Sequence, residues 1–461
     1  MKRILLIITL IAAISITITG CKVDSKLTNQ LSQKEKLADF EYMYNILEEN
    51  YPFFEVNKRI NGVDWLAKRD TYVNMVKSTK NDEEFFNTMS KILNELHNGH
   101  THMFTQNAYS YWKNFVLDWK SGNEPWLKEL NNDKVLLRYN QKDSKQSASK
   151  TSEIFQGNNV ARGKFGVLGF LPLKNTDTKI IKKGKVAYLA VRGFDYYNIE
   201  KDKKIIKPFL NSIKDYSKLI IDIRGNGGGN DRYWTENIVQ PLISNPLSNK
   251  IYWVFRGATF EESFISNMVG NGYEGLDLVS EIDKEGLTNT PPELKKNFKY
   301  FKKIVTTIHP VNSINFKGKI YLLVDKNVFS SAEGFAIFCK NTGFATIVGE
   351  KTGGDGIVGS PLLCALPNSG YVFSLSMTMG LTDNGSCNEE FKTKPDVEIT
   401  QKWYNNLFQD KSISFIEYYF WISSMAKLIL IALLFIGILS FKIWFRKITH
   451  FDLTKYPRHK V

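Results

Sequence analysis

Leu219-Ile-Ile-Asp-Ile-Arg-Gly-Asn-Gly-Gly-Gly229 is the stretch on which the fold turns. Leu219–Ile223 is a short apolar run, the pattern of a strand buried on both faces. Four similar runs share its texture: Val186–Val191, Ile251–Phe255, Ile320–Val324 and Ala345–Val348. Helical stretches fall between them, near residues 199–216, 232–243 and 331–341. Alternation of this kind predicts an α/β core with a mostly parallel sheet over residues 184–400. The glycines after Ile223 let the backbone turn sharply and offer free N–H groups to an anion. A dinucleotide fingerprint would need a further Gly and a P-loop would need Gly-Lys-Ser/Thr, and neither follows. A plain glycine turn and an oxyanion site for acyl transfer remain as the two readings.

Three other clusters carry chemistry. Val324-Asp-Lys-Asn-Val-Phe-Ser-Ser-Ala-Glu-Gly-Phe335 runs from a strand into a helix, so its serines meet unpaired N–H groups and the positive end of the helix dipole. That position suits an N-cap and a nucleophile alike. His97-Asn-Gly-His100-Thr-His102 holds three of the six histidines, which reads as a catalytic base, as a metal site without the HExxH pattern, or as ordinary histidines. Asn384–Asp396 contains Glu389 and Glu390, which read as a solvated acidic pair. Among the cysteines, Cys339, Cys364 and Cys387 are an odd set with no CxxC, so metal or redox use is not expected.

Working outward, residues 36–105 carry a helical pattern, with Phe40, Tyr44, Leu47, Phe85, Met89 and Leu93 as core candidates and Asn81-Asp82 as a helix start. Residues 106–183 read as an insertion of short strands or loose chain, and 258–312 as a second insertion. Of the 461 residues, 43% are hydrophobic and 23% charged, which is globular usage and excludes disorder, a collagen-like repeat, a disulfide scaffold and a multi-span membrane protein. The net charge of +14 is partly local, since residues 442–461 hold six Lys or Arg against one Asp. No zinc-finger spacing or RNA-binding aromatic motif accompanies it, so nucleic acid is not an expected partner.

Both ends read as membrane signals. Lys2 and Arg3 precede an apolar run ending in Ile18-Thr-Gly-Cys21, which resembles a bacterial lipobox with lipid on Cys21; residues 1–21 are then a signal peptide and 22–35 a linker. Residues 418–445 are predicted as a transmembrane helix and 446–461 as a basic cytoplasmic tail. Together these predict a lipid-anchored chain in the cell membrane with its catalytic part outside the cytoplasm.

Five motifs in order resemble the carboxyl-terminal-processing (tail-specific) serine peptidases, and within them the tricorn-like branch: LHNGHTHM, LIIDIRGNGGG, SSAEGFA, VGEKTGGDG and EEFKTKPDVEI. The resemblance implies a crotonase-like α/β core, a peptide or protein substrate, and neither metal nor cofactor. It implies Ser330 as nucleophile, His100 as general base and Glu389 as the orienting acid, with Gly228 and the Ser331 amide as the oxyanion hole. The Ser–Lys branch needs a Lys twenty-five residues after the serine, where this chain has Asp355; Lys351 belongs to a different place in the motif. Asn98 and Gly99 precede His100, so no hydroxyl stands just before it, and 106–183 shows no PDZ signature. Two other functions compete: a peptide or small-ligand binding protein on the same fold, as in the interphotoreceptor retinoid-binding proteins, and a metal hydrolase using His97, His100 and His102.

Overall fold

Ser32 opens the first helix chemically: its hydroxyl accepts from the Glu35 amide, and the Glu35 carboxylate takes the Ser32 N–H at 2.8 Å, a reciprocal cap that fixes the helix start. In this computed structural model the chain is described over residues 30–119, 121–140, 174–270, 272–400 and 410–417. Helices α1 (Gln33–Asn50), α2 (Phe54–Asn61), α3 (Arg69–Lys77) and α4 (Asp82–Asn94) form an N-terminal lobe. Asn81 caps α4 by accepting from the Glu84 amide. Phe40, Tyr44, Phe85, Met89 and Leu93 are all buried there, and Tyr44 stacks on Trp65 with ring centroids 5.1 Å apart.

After a two-residue strand β1 (His102–Met103), the chain forms α5 (Gln106–Leu117), α6 (Glu124–Leu130) and α7 (Asp133–Asn140). Over 106–140 the expectation of strands or loose chain is therefore wrong. Thr105 caps α5 and Pro125 sits in the first turn of α6, helix signals that the mixed composition hid. Residues 141–173 lie outside the described residues.

The core alternates as the apolar runs predicted. Strands β2 (Thr176–Lys182), β3 (Val186–Val191) and β4 (Lys218–Asp222) flank α8 (Ile199–Ser212); α9 (231–242) follows, with one π-helical turn at Thr235–Val239. Next come β5 (Leu247–Phe255), α10 (Thr259–Val269), β6 (Asp277–Leu278), β7 (Tyr300–Ile308) and β8 (Lys319–Val324). The chain then passes through α11 (Ser331–Thr342), β9 (Thr346–Gly349), β10 (Leu362–Ala365), β11 (Val372–Leu375), β12 (Met379–Leu381), α12 (Asn388–Phe391) and β13 (Val397–Glu398).

Six strands in the order β13-β9-β8-β4-β3-β2 make the central sheet, parallel throughout except for the edge strand β2. Among the described residues a mostly parallel sheet thus describes one of three sheets. The other two, β12-β5-β7-β6 and β1-β11-β10, are antiparallel. The run Ile251–Phe255 belongs to the former and not to the parallel core. Ile251 and Trp253 in it are only half-buried, so this strand lacks the two-sided cover of β3 and β4.

One face of the central sheet packs on α8, α9 and α11 through Leu189, Ile221, Leu322 and Phe335. The other face is covered by residues 410–417, a segment past the end of the predicted core. Ile413 and Ile416 sit on Tyr188, Ile220 and Leu323, and Lys218 Nζ donates to the Ile416 carbonyl at 2.5 Å. Asp410 pairs with Arg224 at 2.7 Å, and Asp222 holds the same guanidinium at 2.5 Å.

The expected transmembrane helix and the membrane location built on it need correction. Among the described residues no helix is long and apolar enough to cross a bilayer. The longest, α1, carries Lys34, Lys36, Glu41, Glu48 and Glu49 along its 18 residues. The stretch 418–445, the basic tail and the lipobox around Cys21 lie outside the described residues.

Because Ile413 is buried against the sheet, Ile413→Ala should lower unfolding stability by about 2–4 kcal/mol. Urea denaturation of the full chain measures this, and a loss below about 0.5 kcal/mol would show that 410–417 adds little to the core.

Candidate active site

Strand β8 delivers the chain to a strained turn. Asp325 accepts the Gly225 amide at 2.9 Å and the Asn327 amide at 3.0 Å, tying the glycine loop to the turn. Ser330 then adopts φ 55°, ψ −131°, a conformation that is costly for a residue with a Cβ. Its amide donates to the Gly354 carbonyl at 3.3 Å and its carbonyl accepts from Gly334 at 2.9 Å, so neighbouring segments impose the strain. Ser330 makes no side-chain cap of α11, which leaves its hydroxyl for other partners. The adjacent Ser331 is buried and its hydroxyl donates to Asp231 at 2.6 Å. Gly228 permits the close approach: a Cβ there would stand 2.7 Å from Ser330 Cβ and 2.8 Å from the Ser331 nitrogen.

His100 arrives from the other lobe. The chain leaves α4, turns at His97 with φ 52°, and passes Gly99, whose missing side chain makes room for the Phe329 ring. β1 pairs with β11 through His102–Ser374 and Met103–Phe373, and Ser374 Oγ donates to the His100 carbonyl at 2.7 Å. His100 Nε2 thus lies 3.0 Å from Ser330 Oγ, across 230 residues of sequence. Phe329 packs beside the imidazole with ring centroids 4.7 Å apart.

The carboxylate behind the imidazole is Asp355, and here the sequence reading of Glu389 needs correction. Asp355 Oδ2 lies 2.7 Å from His100 Nδ1, and the Asp355 side chain is fully buried. Gly353 and Gly354 bring the chain back past the Ser330 turn, and Asp355, at φ 49°, points its carboxylate inward. Asn98 Nδ2 donates to the same Oδ2 at 2.8 Å, and the Ser376 hydroxyl donates to it at 2.9 Å. Glu389 is set one step further back: its Oε1 accepts from Asn98 Nδ2 at 3.2 Å and it makes no bond to His100. Burial, and next the Asp355 charge, push its carboxyl well above the ordinary range. One signal for Asp355 was present in the sequence, an acid in the slot where the Ser–Lys branch keeps its lysine. Nothing in the sequence singled out Asn98 or Ser376.

The remaining candidates divide. The Ser331 amide opens α11, where no intrahelical acceptor exists for it. The Gly228 N–H is engaged, donating to Asn226 Oδ1 at 2.9 Å. His97 is exposed, and His102 Nδ1 donates to the Gly99 carbonyl at 3.1 Å, so the three histidines do not converge. Among the described residues no group of three or more His, Cys, Asp or Glu is placed to hold a metal ion. What the site does assemble is a hydroxyl, an imidazole and a buried carboxylate in hydrogen-bonded series, beside a helix N-terminus.

Residues 185–399 match the model of peptidase family S41, and residues 32–94 match the tricorn protease C1 domain. The core is that of an S41 peptidase. The chain as a whole resembles the tail-specific serine peptidases on their tricorn-like side, and the S41 core marks it as a serine-type peptidase, a hydrolase. Solved structures similar to it include mature CPAF complexed with lactacystin, at 15% identity over 86% of this chain and 97% of that one with a TM-score of 0.47. The photosystem II D1 C-terminal processing protease matches at 14% identity over 79% and 93% with a TM-score of 0.38. The tricorn protease matches at 18% identity over 47% of this chain and 16% of its own, with a TM-score of 0.27. No curated protein sequence matches the chain.

A pH signature follows from His102, in β1 just after the His100 turn. Burial first, and then the neighbouring His100, hold its imidazole down at about 4 against an ordinary 6.5. The unfolded chain therefore binds the proton more readily between those values. The contribution to stability is whole above about pH 6.5 and is lost as pH falls toward about 4. His102→Asn should flatten that part of the profile relative to the native chain. Urea midpoints at several pH values test it, and parallel slopes in the two proteins would refute it.

Proposed function

We propose that the chain is a serine endopeptidase that cleaves peptide or protein substrates through Ser330, His100 and Asp355. The observation that carries this reading is the series Ser330 Oγ–His100 Nε2 at 3.0 Å and His100 Nδ1–Asp355 Oδ2 at 2.7 Å. The S41 core supports it from a separate direction. A serine hydroxyl is a weak nucleophile until a base takes its proton, and a neutral imidazole whose Nδ1–H faces a carboxylate presents a bare Nε2 to do so.

In the proposed cycle Ser330 Oγ bonds to the scissile carbonyl carbon while its proton passes to His100 Nε2. The tetrahedral oxyanion is met by the Ser331 N–H at the start of α11. Collapse breaks the C–N bond and the amine leaves with the proton from Nε2. A water then repeats the sequence on the acyl-enzyme, returning the proton to Ser330. Asp355 holds the ring's tautomer and offsets the charge of the imidazolium, and its burial strengthens that interaction.

One observation favours the alternative, a non-catalytic binding protein on this fold: the Gly228 N–H that the oxyanion would use is already taken by Asn226. For catalysis the amide must share or exchange that partner. Ser330→Ala and His100→Ala should each lower kcat/KM on a fluorogenic peptide library about 10³-fold or more. Fluorophosphonate should label the native chain and spare Ser330→Ala. Hydrolysis retained by Ser330→Ala, or a native chain that neither cleaves nor labels, would replace the peptidase reading with the binding one.

A further inference from the structure

Behind His100 lie two buried carboxyl groups joined by one carboxamide. Asn98 Nδ2 donates to Asp355 Oδ2 at 2.8 Å and to Glu389 Oε1 at 3.2 Å, one hydrogen to each. Asn98 Oδ1 is fixed in turn by the His100 amide at 3.1 Å and the Thr101 hydroxyl at 2.9 Å, so the donor cannot swing away. All three residues are buried. Each acid also has an oxygen without any hydrogen-bond partner, Asp355 Oδ1 and Glu389 Oε2. Gly354 makes space for the second of these: a Cβ there would stand 2.9 Å from Glu389 Oε2.

Two carboxylates in one dry pocket with one shared amide cannot both stay ionised, since like charges at short range disfavour the second ionisation. Asp355 has the better-served oxygen, with His100 and Asn98 on Oδ2 and the Ser376 hydroxyl shared between that oxygen and Asn98 Oδ1. Glu389 has Asn98 alone. Its surroundings hold it further toward neutrality. Burial comes first, then Asp355, with Glu333 from α11 adding to the effect; Lys392 and the Asn98 bond oppose it. The buried Tyr51 hydroxyl, close to both acids, stays protonated well above its usual range, and so does the Cys387 thiol.

We propose that Glu389 is a positioning residue held as a neutral carboxylic acid, so that the Asn98-bridged pair carries one negative charge and that charge resides on Asp355 behind His100. This rests on the reading of Ser330, His100 and Asp355 as the reacting series, and it adds the charge state of a fourth residue. Glu389 braces Asn98, and Asn98 orients both Asp355 and the His100 backbone. A second charge at Glu389 would favour the imidazolium and leave less of the base ready to accept the serine proton.

The isosteric neutral variant Glu389→Gln separates the possibilities. In the full chain, the pH profile of fluorophosphonate labelling of Ser330 should keep its acid limb where the native chain has it, because no charge has been removed. Asp355→Asn should slow labelling about 100-fold or more. An acid limb that moves to lower pH in Glu389→Gln would overturn the proposal, because the lost charge would have been Glu389's. An activity-independent readout accompanies it. The infrared difference between native and Glu389→Gln should contain the C=O stretch of a neutral carboxylic acid, and a carboxylate band in its place overturns the assignment. Labelling that survives His100→Ala strikes the triad reading itself and is told apart by that infrared band.

Discussion

The hydrogen bond between Ser330 Oγ and His100 Nε2 is the constraint on which the arrangement depends, because its two ends belong to different parts of the chain. Ser330 is held by the parallel sheet, at the end of β8. His100 is held by the turn after α4 and by β1. Neither segment reaches the other through sequence neighbours. The small antiparallel sheet β1-β11-β10 makes the connection, since β11 comes from the core's end of the chain and pairs with β1 from the helical lobe. Its hairpin turn is fastened to the lobe by Asp39 on α1, which accepts the Asn368 and Ser369 amides at 2.9 and 2.8 Å. A buried carboxylate with several backbone donors is a firm anchor, because leaving those amides unpaired in the interior would be costly. Ser374 on β11 touches the His100 carbonyl and Ser376, just past its end, touches Asp355, so one stretch of chain sets both the base and its acid.

Much of the core was legible because burial on both faces leaves a plain trace. β3, β4, β8 and β9 are runs such as Val186–Val191 with no polar face, and no local alternative competes for them. The serine turn and the glycine loop were legible for a related reason: Gly228 and Ser330 must come within van der Waals contact, and only glycine tolerates that. Strand β5 misled because Ile251–Phe255 has the same residue types but a half-exposed surface, and composition does not report which sheet a strand joins. Helices α5 to α7 were missed because Tyr111, Trp112, Phe115 and Trp119 contact one another and neighbouring rings, a tertiary arrangement that outweighs weak local propensity.

The acid illustrates a different limit. Glu389 lies at the place where the family resemblance puts an acid, and it is indeed buried at the site. Yet a carboxylate must make contact with Nδ1 to orient the ring, and that contact depends on the backbone of Gly353-Gly354-Asp355, with φ 49° at the aspartate. Backbone conformation of that kind is invisible in residue identity. Substituting an acid for the lysine of the Ser–Lys branch also changes the electrostatic logic. A lysine there would have to be neutral to act as base, whereas an aspartate is useful charged, as the partner of an imidazole. Once an aspartate occupies that position, an adjacent glutamate cannot share the same duty, and Asn98 is the group through which the two acids are kept apart.

Ion pairs across the lobes contribute less to this geometry than their number suggests. Arg59 on α2 spans Glu293 and Glu390 at 2.8 and 2.6 Å, but the arginine side chain is 31% exposed, and a pair so wetted contributes modestly. The apolar core is of another order. A single cluster runs without interruption from Phe40, Trp65 and Met89 in the helical lobe through Leu362 and Phe373 to Met379 and Leu381 in the two antiparallel sheets. Separating the lobes would expose that surface at roughly 25 cal/mol per Å², a penalty that two partly exposed ion pairs cannot approach. The imidazole therefore stays over the serine chiefly because the residues around it are packed as one interior, and the lobe that brings His100 is part of that interior and not a lid hinged upon it.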